Sequence, residues 1–276
     1  MTFVVKVPGV NGLGKTKGTR NAGNAVLNEL NSINYNEQGN VINSKLLDIE
    51  EIHVDNNNLE EAEGLIYENS LEMLETKNKI IFLGGDHSIS YSTGRAFLYY
   101  CNKNRKDAKL IVFDAHADAI TPKGHEIMPS HKEWLRTLIE KGFKPSNILL
   151  VGIRNLDSTE SIFLKENKIR VIQMNQFLND LEDTCDIIME FANLNNKESE
   201  VYLSLDIDVI DPAFAPSTRY AEPGGLTSRE FLYIIQRLNR VRNLKAIDLV
   251  EINSEEDKTL NNITLKLGAK ILAELI

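Results

Sequence analysis

Leu110-Ile111-Val112-Phe113-Asp114-Ala115-His116-Ala117-Asp118 is the stretch whose reading decides the fold. An apolar run goes straight into two carboxylates and an imidazole. Such a run suits a strand buried on both faces of a parallel sheet. The same applies to Val201-Tyr202-Leu203-Ser204-Leu205, which leads into Asp206-Ile207-Asp208-Val209-Ile210-Asp211-Pro212. Side chains alternate along a strand. Asp114, His116 and Asp118 therefore share a face if the extended path continues, and so do Asp206 and Asp208. Carboxylates crowded in this way repel unless a cation holds them or some take up protons. The expected cation is a pair of divalent metals.

Working outward, residues 3–7, 45–48, 80–83, 148–151, 169–172 and 246–250 read as further strands. Residues 62–74 and 230–238 carry helical periodicity between them. Alternating strands and helices imply right-handed crossovers with helices on both sides of the sheet. The expectation is an α/β fold: one domain over residues 1–276, in three α/β/α layers, with a mainly parallel sheet of about eight strands. Ligands in such sheets bind outside the carboxyl ends of the strands, where both aspartate strings fall.

Hydrophobic residues make up 42% of the 276, enough for a sizeable core. The formal charge of −9 argues against nucleic acid as the main partner and is compatible with a cationic substrate. Cys101 and Cys185 have no metal-type spacing and read as reduced thiols of a cytosolic protein. The apolar run at the amino end is too short for a signal peptide, and no stretch approaches the roughly 20 apolar residues of a membrane span. The expected location is the cytoplasm, with no membrane partner.

A competing motif is Gly9-Val10-Asn11-Gly12-Leu13-Gly14-Lys15-Thr16, which satisfies the phosphate-loop pattern after a strand. A phosphate loop must run directly into a helix. Gly18 and Gly23 fall in the first turns of that helix, each costing about 1 kcal/mol against Ala. It would also leave His87, His116 and Asp206 unexplained. No nucleotide or other organic cofactor is expected.

Two more strings complete the pattern: Gly84-Gly85-Asp86-His87-Ser88, and Asp248-Leu249-Val250-Glu251. With Asp114 to Asp118 and Ser204 to Pro212, these four strings in this order resemble the ureohydrolase family, which holds arginases, agmatinases and their relatives. The resemblance spans residues 84–251. It implies that His87, Asp114, Asp118 and Asp206 bind one metal, and that Asp114, His116, Asp206 and Asp208 bind the other, with Asp114 and Asp206 bridging. Four aspartates and two divalent ions are close to charge balance. A carboxylate-rich set with some imidazole suits Mn2+ best, with nickel, iron, zinc and cobalt as alternatives.

The implied chemistry is attack of a water-derived hydroxide on a planar guanidinium carbon, releasing urea and an amine. Glu251 matches the glutamate that pairs with the guanidinium group, and His131 the loop histidine that carries a proton to the leaving nitrogen. His125 is the alternative to His131. Asp86 and Asp211 are read as holding loops rather than as ligands. The implied partner is a small cationic guanidino substrate, and the implied assembly a homo-oligomer.

The chain departs from the family pattern in its substrate loops. Lys132 stands where glycine usually follows the histidine, and Ile120 and Ile127 stand where polar residues would hold an amino acid's carboxylate. Arg219 replaces a small residue. The missing polar residues at Ile120 and Ile127, and these alone, favour agmatinase-like over arginase-like chemistry. The alternatives are hydrolysis of a formimino group, with Arg219 or Arg154 meeting an acidic tail, and a homologue that binds metal without catalysis. Trp134 reads as core, with stacking on a cationic tail as its other possible use.

Overall fold

The computed structural model describes residues 2–12, 14–122, 128–178, 180–195 and 197–276. Eight strands are described, seven of them where the sequence places them and β2 displaced: β1 (Thr2–Val7), β2 (Asp48–Glu51), β3 (Lys79–Gly84), β4 (Asp107–Phe113), β5 (Ile148–Ile153), β6 (Arg170–Gln173), β7 (Ser199–Asp206) and β8 (Leu244–Val250). They form one eight-stranded sheet in the order β2-β1-β3-β8-β7-β4-β5-β6, and all neighbouring pairs are parallel.

Each central strand feeds both faces through its period of two. Ile81, Leu83, Ile111, Phe113, Leu203 and Leu205 point into one core. There they meet α1 (Ala22–Leu30), α6 (Leu181–Asn193), α7 (Ser228–Leu238) and α9 (Ile263–Leu275). Ile80, Phe82, Leu110, Val112 and Tyr202 point into the other. It is closed by α2 (Leu59–Thr76), α3 (Ile89–Lys103), α4 (Trp134–Glu140) and α5 (Ser158–Glu166). A short α8 (Ser254–Asp257) completes the described helices. Full burial stabilises by roughly 1.5–3 kcal/mol for each large apolar side chain, which explains why apolar runs rather than alternation mark these strands. Cys101 and Cys185 are free and buried within these layers.

β2 begins at Asp48, where the sequence suggests a strand over 45–48. Ser44–Leu46 instead form a 3-10 turn, started by the Asn43 side chain accepting from Lys45 N at 3.1 Å. β2 is a mostly exposed edge strand of sequence DIEE, so no apolar run marks it.

Near the amino ends of the strands, three lysines fasten helices to the sheet. Lys79 of β3 donates to Leu275 O at the end of α9 (2.6 Å), and Lys245 of β8 to Lys77 O just past α2 (2.6 Å). Lys109 of β4 donates to Phe191 O of α6 at 2.8 Å and also to Leu194 O. Ammonium groups complement helix carboxyl ends. Burial lowers the pKa of all three, that of Lys79 to about 8.

The glycine-rich string after β1 is an ordered loop, apart from Leu13, which lies outside the described residues. Asn11 N and Thr16 Oγ1 both donate to Asp86, at 2.8 and 2.6 Å. A 3-10 turn, Lys17–Thr19, separates the loop from α1, so it does not run directly into a helix. Among the described residues, no helix is long and apolar enough to cross a membrane.

Candidate metal centre and substrate cavity

The four central strands, β3, β8, β7 and β4, release their chains at one place. After β3 the backbone passes so close to the opening loop that a Cβ on Gly85 would lie 2.1 Å from Gly9 O. Asp86 follows, wholly buried, and its carboxylate also accepts from Ser88 N at 3.2 Å. That clamp delivers His87 to the carboxyl ends of β4 and β7. His87 Nδ1 lies 3.1 Å from Asp114 Oδ2, 3.0 Å from Asp118 Oδ2 and 3.2 Å from Asp206 Oδ2.

A second group lies alongside. His116 Nδ1 is 2.8 Å from Asp208 Oδ2 and 3.5 Å from Asp114 Oδ1. Asp114 thus turns one oxygen toward each histidine. Two sets, His87 with Asp114 and Asp206, and Asp114 with His116 and Asp208, can each gather their ligand atoms within 4.8 Å. Asp206 falls in the first of these sets and not in the second.

The ligand atoms do not converge by strand alternation, contrary to the sequence expectation. β4 ends at Phe113 and β7 at Asp206, so the extended path stops before the spacing can act. Asp118 reaches the centre through a left-handed backbone, φ 50°, and Asp208 through a 3-10 turn in which its N–H donates to Asp206 Oδ1 at 2.8 Å. Glu251 is also left-handed, φ 66°. Backbone strain of this kind persists where surrounding contacts over-determine it.

These residues fit a divalent cation. His87 Nδ1 and Asp114 Oδ2 are buried and have no hydrogen-bond partner among the described residues. Burial opposes a charge on His116, yet Asp114 and Asp208 push its pKa up to about 12. Burial, then Asp208 and Asp114, hold Asp206 well above the usual carboxylate range. The cluster thus calls for positive charge, and its oxygen and imidazole donors are those of hard or borderline ions.

Trp134, the first residue of α4, is a core residue and also serves the cluster. Its Nε1–H donates to Asp118 Oδ2 at 3.0 Å, and its ring centroid lies 4.7 Å from that of His87. It does not line the cavity, which removes the stacking role considered for it. Ala119 N is held by Glu160 Oε1 at 2.9 Å, and Glu160 closes a capping box with Asp157 at the start of α5.

A cavity of about 360 Å³ opens over the centre. Asp118, Asp206, Asp208, His116 and Glu251 line it, together with Ile120, His131, Lys132, Asn155, Asp157, Glu160, Tyr220 and Glu222. Glu251 Oε1 accepts from His87 N at 3.0 Å, while Oε2 is buried and unpartnered among the described residues. Burial, then Asp86 and Asp206, raise the Glu251 pKa well above its ordinary value. The His131 ring stacks on Tyr220 with centroids 5.3 Å apart and planes at 19°. Burial lowers the pKa of His131, and Asp118 and Asp86 oppose that shift. Lys132 Nζ lies 4.0 Å over the Tyr220 ring. His125 and Ile127 lie outside the described residues.

The loop after β7 is fixed from below. Arg154 donates to Asp208 O and Glu222 O, both at 2.7 Å, so its guanidinium is committed to backbone and does not reach for a substrate tail. Asp211 accepts from Ala213 N at 2.9 Å and Gly224 N at 2.7 Å, holding that loop as expected. Arg219 is exposed and outside the cavity lining. Tyr220, Glu222, Asn155, Asp157 and Glu160 were not singled out by sequence reasoning. For the last two a signal existed: Asp157-x-x-Glu160 right after a strand marks a capped helix start at the rim where ligands bind.

The sequence model of the arginase family matches residues 2–276. The chain belongs to the arginase family. Members of this family are hydrolases of amidino carbon–nitrogen bonds that depend on a metal pair. The chain is 30% identical to an arginase of Plasmodium berghei (strain Anka) over 254 residues, covering 80% of this chain and 70% of that one. It is 29% identical to an arginase of Staphylococcus aureus (strain MRSA252) over 258 residues, covering 87% and 83%. The fold superposes on formimidoylglutamase from Bacillus subtilis with a TM-score of 0.87 at 23% identity, covering 99% of this chain and 85% of that one. For proclavaminate amidino hydrolase from Streptomyces clavuligerus the TM-score is 0.85 at 26% identity, with coverage of 99% and 90%. The arginase-family fold thus accounts for the whole sheet.

Proposed function

We propose that this arginase-family chain hydrolyses a small guanidino compound to urea and an amine, using two divalent ions, Mn2+ foremost, held by His87, Asp114, His116, Asp118, Asp206 and Asp208. The observation that carries this is the placement of His87 Nδ1 within 3.2 Å of three separate aspartate oxygens, in a buried position where a bound cation would relieve the repulsion among the carboxylates. When bound, such an ion pair supplies an activated water and Lewis acidity at neutral pH.

The chain's own residues do the rest. Glu251 lines the cavity with its Oε2 unpartnered among the described residues, and it binds the guanidinium group, whose positive charge favours the ionised carboxylate. His131 moves a proton to the leaving nitrogen, and its stack on Tyr220 fixes the plane in which its ring nitrogens lie. Asp157 and Glu222 make the outer cavity acidic, which suits a substrate whose tail carries an ammonium group. Ile120 in the lining offers nothing to a carboxylate, so agmatine is favoured over arginine.

The test is urea release from agmatine, arginine, guanidinobutyrate and guanidinopropionate, and formamide release from formiminoglutamate, with each candidate metal added to metal-free protein. Urea from at least one guanidino compound, agmatine foremost, is expected. Turnover of formiminoglutamate alone, or of nothing with any metal, would overturn the proposal. Asp208→Ala should lose one ion preferentially and abolish turnover.

A further inference from the structure

We propose that Ser204 and Asp248 are positioning residues that fix the tautomer of His87 and thereby set how tightly its side of the centre holds a divalent ion. This rests on the ligand role given to His87 above.

Asp248 sits on β8, wholly buried, and is met by neutral donors alone among the described residues. Its Oδ1 accepts from Ser204 Oγ at 2.8 Å and Leu205 N at 3.2 Å. Its Oδ2 accepts from Ser90 Oγ at 2.7 Å and Tyr202 OH at 2.8 Å. Burial, then Asp248 itself, push the Tyr202 phenol well above its ordinary pKa, so it stays a donor.

The single hydroxyl hydrogen of Ser204 is donated to Asp248 Oδ1. Ser204 Oγ also lies 3.0 Å from His87 Nε2. With its hydrogen spent, it can only accept there, and Nε2 must carry the imidazole proton. Nδ1 is then left with a lone pair directed at the oxygens of Asp114, Asp118 and Asp206. The Asp248 carboxyl group, acting through the serine hydroxyl, orients the ring and makes that nitrogen a better ligand.

The device is one-sided. Among the described residues His116 has no matching relay: its Nε2 lies 3.7 Å from Glu222 Oε1, and its side chain is 22% exposed. Removing the relay should therefore weaken one ion and spare the other, which a general loss of structure would not do.

The experiment is calorimetric titration of metal-free, full-length protein with Mn2+, alongside the melting temperature of each metal-free variant. The parent should show two sites. Ser204→Ala, a small change, should melt like the parent and weaken one site by about 10–100-fold while leaving the other unchanged. Ser204→Thr should restore it, and Asp248→Asn should act in the same direction as Ser204→Ala. Nitrogen-15 NMR of histidine in zinc-loaded protein should report the Nε2–H tautomer for His87 in the parent. A Ser204→Ala variant that binds both ions as the parent does, or weakens both alike, would overturn the inference. A parent that binds no ion would overturn it together with the proposed function. A parent that binds two ions but releases no urea would sink the proposed function alone.

Discussion

Trp134 Nε1–H donates to Asp118 Oδ2 across 3.0 Å, joining the first residue of α4 to a carboxylate of the metal centre sixteen positions earlier in the chain. Trp134→Phe keeps an aromatic ring near His87 but removes that donor. It is expected to leave the fold intact and to weaken metal binding by about 10–100-fold. Metal titration of the variant, with circular dichroism as the folding control, is the measurement. Unchanged affinity would mean that the indole only fills space.

Glu251 and His131 separate substrate binding from proton transfer. Glu251→Gln should raise KM and lower kcat together, because the lost hydrogen bonds both bind the guanidinium and orient its carbon for attack. His131→Ala should chiefly lower kcat, by about 10²–10⁴-fold. Both variants should keep their metals. A His131→Ala enzyme with parental kcat would show that the proton travels by another route.

The Tyr220 stack offers a finer test of His131. Tyr220→Phe keeps the ring and should stay near the parent, whereas Tyr220→Ala should lower kcat by about 10–100-fold through misplacement of the imidazole. Steady-state kinetics on the two variants decide it. Equal losses would implicate the phenol hydroxyl instead of the stack.

Glu37 ties its own loop to α7 and α9. It pairs with Arg229 and accepts from Gln236 Nε2 at 3.1 Å, while Lys270 Nζ lies 3.7 Å away. The Arg229 hydrogen bond, working against burial and helped by Gln236, lowers its pKa from 4.5 to about 2. A depressed carboxylate contributes stability above its unfolded pKa and loses it as the pH falls through the folded one. Glu37→Gln should therefore have a lower Tm than the parent near neutral pH, and the gap should close between about 4.5 and about 2. Melting curves across that window are the check, and a gap independent of pH would assign the effect to packing.

The central strands were legible because both their faces are buried, which turns the sequence into unbroken apolar runs such as Ile80 to Leu83. β2 was misplaced by three residues because an exposed edge strand carries no such signal. The carboxylates and histidines of the centre were legible as residue types, but the geometry that gathers them was not. It depends on the left-handed turn at Asp118 and the 3-10 turn at Asp208, which alternation along a strand does not describe. Trp134 and Tyr220 were illegible as site residues for another reason. What links them to Asp118 and His131 is contact between separate elements, and no local spacing encodes it.

Lys79, Lys109 and Lys245 fasten α9, α6 and the end of α2 at the amino ends of β3, β4 and β8. Five residue steps along β4, from Lys109 to Asp114, put that anchor roughly 17 Å from the metal centre. The attachment of helices to the sheet is thus settled at one pole, and the shape of the substrate cavity at the other. Loops at the catalytic pole can be lengthened, shortened or exchanged with little effect on those anchors. A scaffold divided in this way is a natural recipient for grafted loops: new substrate tails can be met at the rim without re-engineering the foundation.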